Sequence, residues 1–369
     1  MLDRLLALRD RWLASSRFQR WAAMLPFTRP IARRQARALF DLCAGFVYSQ
    51  VLLACVRLRL FDVLAGSPCA PAVVAERTGL SPGAAERLLR AAAALGLVAP
   101  RRGGRFGLGV LGAALRGNPA LGPLIEHHAL LYADLQDPVA LLRGERPAGA
   151  LAGFWPYAGT DRPAALPSDG VVPYSALMAA SQSFIAAEIL DAYPMRQHRC
   201  LLDVGGGAGV FLAAAAERWP KLRLMLADLP AVAALAQARF DELGLRDRAV
   251  AHALDFLVDP LPNGADLVSI VRVLHDHDDA AVLAILKAAH RALPIGGTLL
   301  VAEPLAGTPG AEPVGDAYFG FYLLAMGSGR ARTVAEIGSL LMAAGFDRGR
   351  SLPTRLPLLT QVIAARRQA

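Results

Sequence analysis

The sequence predicts an α/β protein: a doubly wound, mainly parallel sheet with an antiparallel edge strand, preceded by a mainly helical part of winged-helix type. Three observations predict it. From Cys200 onward, short apolar runs alternate with helical stretches, the rhythm of βα units whose helices cover both faces of a parallel sheet. Two short runs near the C-terminus lie close together, which suits an antiparallel pair at one edge. Residues 68–116 follow the order helix, turn, helix, hairpin. The 369 residues are enough for two domains. Apolar residues make up 54% and charged residues 19%, below the usual ~25%, so disorder is excluded for the bulk of the chain. The mean hydropathy of +0.37 agrees.

Residues 1–40 carry nine arginines (Arg4, Arg9, Arg11, Arg17, Arg20, Arg29, Arg33, Arg34, Arg37) against Asp3 and Asp10, whereas the rest of the chain holds 30 basic and 29 acidic side chains. The net charge of +8 therefore sits almost wholly in a basic arm, and a near-neutral body argues against a broad nucleic-acid-binding face. Leu2, Leu5, Leu6, Leu8, Trp12, Phe18, Trp21 and Met24 can form an apolar stripe beside those arginines. Two readings of the arm stay open: a helix packed on the body or crossing to a dimer partner, or a membrane-surface helix. Residues 41–66 read as one long apolar helix. Its most apolar stretch, Leu42–Val56, is short of the ~20 residues that span a bilayer, so a core or interface helix is expected. With no secretory leader in sight, Cys43, Cys55, Cys69 and Cys200 are expected to be buried thiols in a cytoplasmic protein.

Ala70–Thr78 predicts a short helix, Gly79-Leu80 a turn, and Ser81-Pro82 an N-cap with proline at the first helical position. Gly83–Leu95 continues as a second helix closed by Gly96. Leu97–Ala99 and Arg105–Leu108 form a hairpin around Arg101–Gly104. A winged helix invites DNA binding, but this second helix has just two arginines and no Asn, Gln, Ser or Lys for base edges. Residues 117–173 are rich in Pro and Gly, with Tyr132, Phe154, Trp155 and Tyr157 placed to line a pocket, and helical periodicity returns over 174–193. The expected organisation is an arm (1–40), a winged-helix region (41–116), pocket-lining connecting helices (117–190) and a sheet domain (191–369).

Strands are expected at Cys200–Val204, Arg223–Ala227, Arg248–Leu254, Asp266–Arg272 and Thr298–Ala302, with helices at Val210–Arg218, Pro230–Leu243 and Asp279–Leu293 between them. A helix at Val334–Ala344 and strands near Phe346–Leu352 and Leu359–Ala365 complete the chain. Ligands of such sheets bind beyond the carboxyl ends of the strands. A distinctive polar feature stands at each of five successive ends: the glycine loop Gly205–Gly209, Asp228, Asp255, His275 and Glu303. The loop, Asp203-Val204-Gly205-Gly206-Gly207-Ala208-Gly209, has G-x-G-x-G spacing where a dinucleotide loop needs G-x-G-x-x-G, and it has no P-loop lysine. That favours a nucleoside with an amino-acid tail over a pyrophosphate and speaks against a nicotinamide oxidoreductase. Asp228 could accept ribose hydroxyls or cap the following helix. Asp255-Phe256 could offer an acceptor and an aromatic face to a purine, or be a turn aspartate and a core ring. His275, with Asp276 behind it and Glu303 ending the next strand, is placed to act as a general base. His275 and His277 have no third ligand nearby, so no metal is expected.

Together, Asp203–Gly209, Asp228-Leu229-Pro230, Asp255-Phe256, Leu274-His275-Asp276 and Ala302-Glu303 resemble the S-adenosylmethionine-dependent O-methyltransferases of the plant caffeate and acetylserotonin type, with their bacterial relatives. The resemblance covers about residues 41–369. It implies a Rossmann-like methyltransferase sheet, a winged-helix region that forms a homodimer, S-adenosyl-L-methionine as methyl donor and S-adenosyl-L-homocysteine as product. By similarity, Gly205, Gly207, Asp228, Leu229, Asp255, Phe256, Arg272 and Met178 would hold the cofactor, and His275 with Asp276 and Glu303 would be catalytic. Tyr318, Phe319, Tyr322 and Met326 would line the acceptor pocket. Three positions depart from the family: His277 where tryptophan is frequent, Ala331 where plant members place a second acid, and Met326 at a polar acceptor contact. The segment Tyr318–Met326 is strongly apolar, as a lipid-like acceptor would need and as an ordinary core helix would also be.

Arg17–Arg37, continuing through Ala38–Arg57, is similar to the bacterial hydroxycarotenoid O-methyltransferases that act on hydroxyneurosporene or demethylspheroidene. That implies a hydrophobic hydroxycarotenoid with a tertiary hydroxyl as acceptor, no nucleic-acid partner, and an arm able to touch the inner or photosynthetic membrane. Methylation of a phenolic or polyketide metabolite is the alternative, with a DNA-binding regulator a distant one.

Overall fold

The computed structural model describes residues 1–145, 147–155 and 168–369. Contacts divide the chain into two compact units, Met1–Asn118 and Pro119–Ala369. Tyr157, expected with Tyr132, Phe154 and Trp155 near a pocket, lies outside the described residues.

The first unit is helical. α1 (Leu2–Leu13) and α2 (Ser16–Met24) bury no residue within the chain, and α3 runs from Arg29 to Arg57. The helix expected over 41–66 thus starts twelve residues earlier, with Pro30 in its first turn. It also stops sooner: Arg59 takes φ +51°, and a short α4 (Leu60–Val63) follows. α3 is long and apolar enough to cross a membrane by length and composition. Only Leu53 and Cys55 of it are buried in this chain, so it is not the core helix of a single protomer. Cys43 is exposed on it, correcting the expectation of four buried thiols; Cys55, Cys69 and Cys200 are buried.

The winged helix forms as expected. α5 (Pro71–Thr78) and α6 (Pro82–Ala94) are joined at Gly79, φ +70°. Ser81 Oγ accepts the Ala84 N–H at 3.3 Å, the N-cap bond. β1 (Val98–Arg101) and β2 (Arg105–Leu108) pair antiparallel with Val98 opposite Leu108, and α7 (Val110–Arg116) closes the unit. α6 turns Ala85, Leu89 and Ala92 inward onto Leu60, Phe61 and Val74.

The second unit begins with α8 (Leu121–Asp134), α9 (Pro138–Leu142), α10 (Ala150–Phe154) and α11 (Ser168–Ala192). The sheet follows: β3 (Cys200–Val204), α12 (Val210–Arg218), β4 (Arg223–Asp228), α13 (Pro230–Glu242), β5 (Ala249–Ala253), β6 (Leu267–Val271), α14 (Asp279–Ala292) and β7 (Thr298–Glu303). A π-helical segment, Pro313–Phe319, runs into α15 (Gly320–Met326); α16 (Val334–Ala343), β8 (Arg350–Leu352) and β9 (Gln361–Arg366) end the chain. The strand order is β5-β4-β3-β6-β7-β9-β8, with β3 to β7 parallel and β9 antiparallel to both neighbours. The antiparallel strand is therefore inserted between β7 and the outermost β8. Side chains alternate across the sheet. Leu202 and Val204 pack with Ile285 and Leu286 of α14, whereas Leu201 packs with Phe211, Leu212 and Phe240 of α12 and α13. The inner strands β3, β4, β6 and β7 are covered on both faces and read as nearly continuous apolar runs, whereas the edge strands β5 and β8 are partly exposed.

Candidate active site

Because β3 to β7 are parallel, their carboxyl ends share one edge, and a cleft of about 180 Å³ opens there. It is lined by the Gly205–Ala208 loop, Asp228, Leu229, Asp255, Phe256, Arg272, Asp276 and His277, with Trp155, Tyr174 and Met178 opposite. Gly205 and Gly207 take φ +69° and +59°, values that side chains resist. A Cβ on Gly205 would stand 2.6 Å from Val273 Cγ2, so only glycine lets the backbone face the cleft here.

Asp228 is buried at the end of β4. Its Oδ2 accepts the Gly207 N–H and its Oδ1 the Leu229 N–H, both at 2.8 Å. Burial lifts its pKa to about 6, against the pull of those two N–H groups. The side chain does not cap α13, whose N-terminus has no side-chain cap. Each oxygen keeps a lone pair, so the ionised group can take two hydroxyl donors from the cleft. Asp255 Oδ1 accepts the Leu257 N–H at 3.0 Å, the turn geometry that sequence had left open, and Asp255 still lines the cleft. Phe256 meets the His277 ring edge-on at 6.0 Å. Arg272 is a non-glycine residue at φ +58°, and that turn of the chain aims its guanidinium at Ser181 Oγ, 2.8 Å, and Met178 Sδ, 3.0 Å. Glycine backbone, a buried carboxylate with free lone pairs, a cation and an apolar floor fit a purine nucleoside with a charged tail.

His275 sits on a short 3-10 turn, Leu274–Asp276, directly after β6. Glu303 Oε1 accepts the Val273 and Leu274 N–H groups at 3.0 and 2.7 Å, while its Oε2 bonds His275 Nδ1. A carboxylate can only accept, so in the neutral ring the proton is on Nδ1 and the lone pair on Nε2. Asp276 Oδ1 is 3.1 Å from Nε2 but makes no aligned hydrogen bond to any group. Burial works against the imidazolium, yet the Asp276 and Glu303 carboxylates outweigh it and hold His275 above its usual range. Burial holds Asp276 up to about 7. The pair therefore titrates as a unit.

On the other side of His275, Phe319 meets its ring edge-on at 5.6 Å. Tyr318 and Tyr322 stack at 5.7 Å, their hydroxyls bonded to His128 and His127 at 2.8 and 2.9 Å. Burial pushes His127 down to about 4, so it is neutral. Phe319 thus stands at the histidine, and Tyr318 and Tyr322 pack on Phe319 at 5.1 and 6.3 Å. Met326, a turn further along α15, packs in the same apolar cluster and also lines a separate cavity with Asp134, Leu141 and Gly149. His127 and His128 were missed. Their signal was two adjacent histidines in an apolar helix, facing tyrosines four residues apart. Arg332 was missed too; it is almost wholly buried and donates to the Leu274 and His277 carbonyls at 2.7 Å each. Among the described residues, no three His, Cys, Asp or Glu side chains stand close enough to hold a metal ion.

Comparison with known proteins agrees with this geometry. Residues 132–347 match the O-methyltransferase domain and residues 40–115 the O-methyltransferase dimerisation domain. The second match accounts for a winged helix without base-reading side chains. The demethylspheroidene O-methyltransferase of Cereibacter sphaeroides is 43% identical over 96% of this chain and 93% of its own. The acetylserotonin O-methyltransferase of Mus musculus is 34% identical, covering 88% and 87%. Human N-acetylserotonin methyltransferase, solved with S-adenosylmethionine, superposes with a TM-score of 0.75 at 25% identity, covering 91% of this chain and 98% of that one. Both domains are matched in order, and the chain belongs to the S-adenosylmethionine-dependent O-methyltransferases that carry their own N-terminal dimerisation domain.

Proposed function

We propose that this enzyme methylates the tertiary hydroxyl of a hydroxycarotenoid of the hydroxyneurosporene or demethylspheroidene type. The observation that carries the choice of acceptor is the high identity to the Cereibacter demethylspheroidene enzyme along nearly the whole chain, above that to the acetylserotonin enzyme. The aromatic wall beside His275 supports it, since a polyene offers only apolar surface. In this reading Asp228 holds the ribose hydroxyls, Phe256 and Leu229 flank the purine, and Arg272 and Met178 lie by the tail. Bound S-adenosylmethionine supplies a methyl group on a sulfonium. The chain then aligns the hydroxyl with that methyl group, where much of the acceleration arises. A tertiary alcohol is a far weaker acid than imidazolium, so no free alkoxide precedes attack. With the methyl donor bound, Nε2 of His275 would take the proton as the acceptor oxygen bonds the methyl carbon and the methyl–sulfur bond breaks, S-adenosylhomocysteine being the leaving group, and Glu303 and Asp276 would stabilise the imidazolium.

In the same reading residues 1–40 contact an anionic membrane, where such an acceptor dissolves. Leu2, Leu5, Leu8, Trp12, Trp21 and Met24 are exposed beside the arginines of α1 and α2, the make-up of an interfacial helix. The function is tested by co-expressing the chain with a hydroxycarotenoid pathway and weighing the pigments. Methoxylated ends are expected. Unchanged pigments beside a labelled phenol would move the acceptor to the phenolic class.

A further inference from the structure

We propose that Arg332 is a positioning residue for the base: it clamps the carbonyl side of the His275 turn, and without it Nε2 is not held in line with the acceptor. The proposal rests on the reading of His275 as the base. The turn Leu274–Asp276 is gripped from two sides by opposite charges. Glu303, from β7, takes its N–H groups at Val273 and Leu274. Arg332, from the strap Ser328–Arg332 that follows α15, takes its carbonyls: Nη1 donates to Leu274 O and Nη2 to His277 O. Ser328 Oγ donates to the Asp276 carbonyl between them, at 3.0 Å. Gly329, at φ +77°, lies so close to the backbone of the turn that its Cβ would strike the Asp276 Cα at 2.8 Å. The carbonyls of Leu274, Asp276 and His277, on both sides of the base, are thus held by one strap. The carboxylate alone fixes the imidazole tautomer but leaves the turn free to pivot on its N–H side.

The side chain of Arg332 is 1% exposed, and its carboxylate partner, Asp279, is 53% exposed. Asp279 Oδ1 accepts from Nε at 2.8 Å. A guanidinium so deeply buried is costly unless its donors are used, and here they are used mainly on the turn. Lysine cannot copy this, because one ammonium cannot span two carbonyls in a fixed fork. The strap also follows directly on α15, which continues from Phe319 at His275. The base and the acceptor wall are therefore tied by a single short segment. Arg332 does not itself line the cofactor cleft, so its loss removes no direct cofactor contact, and only the backbone that carries Asp276 and His277 is loosened.

The test uses the full-length enzyme with S-adenosylmethionine and a hydroxycarotenoid. Arg332→Gln should lower kcat about 100-fold, with KM and the affinity for S-adenosylhomocysteine changed less than about threefold. Arg332→Lys should recover part of that loss. The acid limb of the rate profile should move down, because His275 loses its registration with Glu303 and Asp276, which face it together with Arg272 and His277. A merely structural role would lower the melting temperature and leave kcat and the acid limb of the folded enzyme alone, and that result overturns the proposal. If Arg332→Gln does not fold, Ser328→Ala decides: kcat lower by about threefold or more at constant KM supports the strap, and an unchanged kcat overturns it. Turnover surviving in His275→Ala would instead overturn the assignment of the base.

Discussion

Replacing Glu303 with glutamine tests the chemistry at its most constrained point. The carboxylate is 2% exposed and accepts three bonds, two from backbone N–H groups and one from His275 Nδ1. A carboxamide has a single acceptor atom. If its oxygen keeps the two backbone donors, its NH2 faces Nδ1, and the imidazole must move its proton to Nε2. That removes the lone pair which takes the acceptor proton. The lost charge-assisted bond alone is worth about 1.5–3 kcal/mol. Reversing the tautomer of a catalytic histidine by an acid-to-amide change costs about 10⁴ in a hydrolase triad. We expect kcat to fall by about 10³–10⁴, or roughly 4–5.5 kcal/mol in the barrier. The assay is formation of S-adenosylhomocysteine from S-adenosylmethionine and a hydroxycarotenoid, with cofactor affinity measured by calorimetry. Affinity should hold, since Glu303 does not line the cleft. A kcat within about threefold of the parent would mean that Glu303 does not set the tautomer of the base.

Three further outcomes follow from the same geometry. His275→Ala should abolish turnover while still binding S-adenosylhomocysteine, and normal turnover would remove it as the base. Asp228 has a pKa raised to about 6 without ligand, and ribose hydroxyls favour its ionised form. Binding should therefore release a proton and tighten as pH rises through 6, whereas Asp228→Asn should bind more weakly with no such slope; parallel slopes would contradict the ribose contact. Deleting residues 1–40 should reduce co-sedimentation with anionic vesicles more than cofactor binding, and equal sedimentation would return the arm to a structural role.

The sheet was legible because β3, β4, β6 and β7 are buried, mainly apolar runs with distinctive residues at or just beyond their carboxyl ends. The catalytic turn was legible for the same reason: Leu274-His275-Asp276 interrupts an apolar run. α3 was misread because a helix continuing through Arg33, Arg34 and Arg37 changes composition without changing conformation. Its end was missed because Arg59 adopts a left-handed backbone that its residue type does not announce. Arg332 and the His127 and His128 partners of the tyrosines are contacts across more than fifty residues of sequence, and no local spacing encodes them.

The most direct test of the account is the reaction itself. Purified enzyme is given S-adenosylmethionine with a deuterated methyl group and an equal choice of a hydroxycarotenoid and a simple catechol, and both products are weighed. The deuterated methyl group is expected on the tertiary oxygen of the carotenoid. A label found only on the catechol would contradict this.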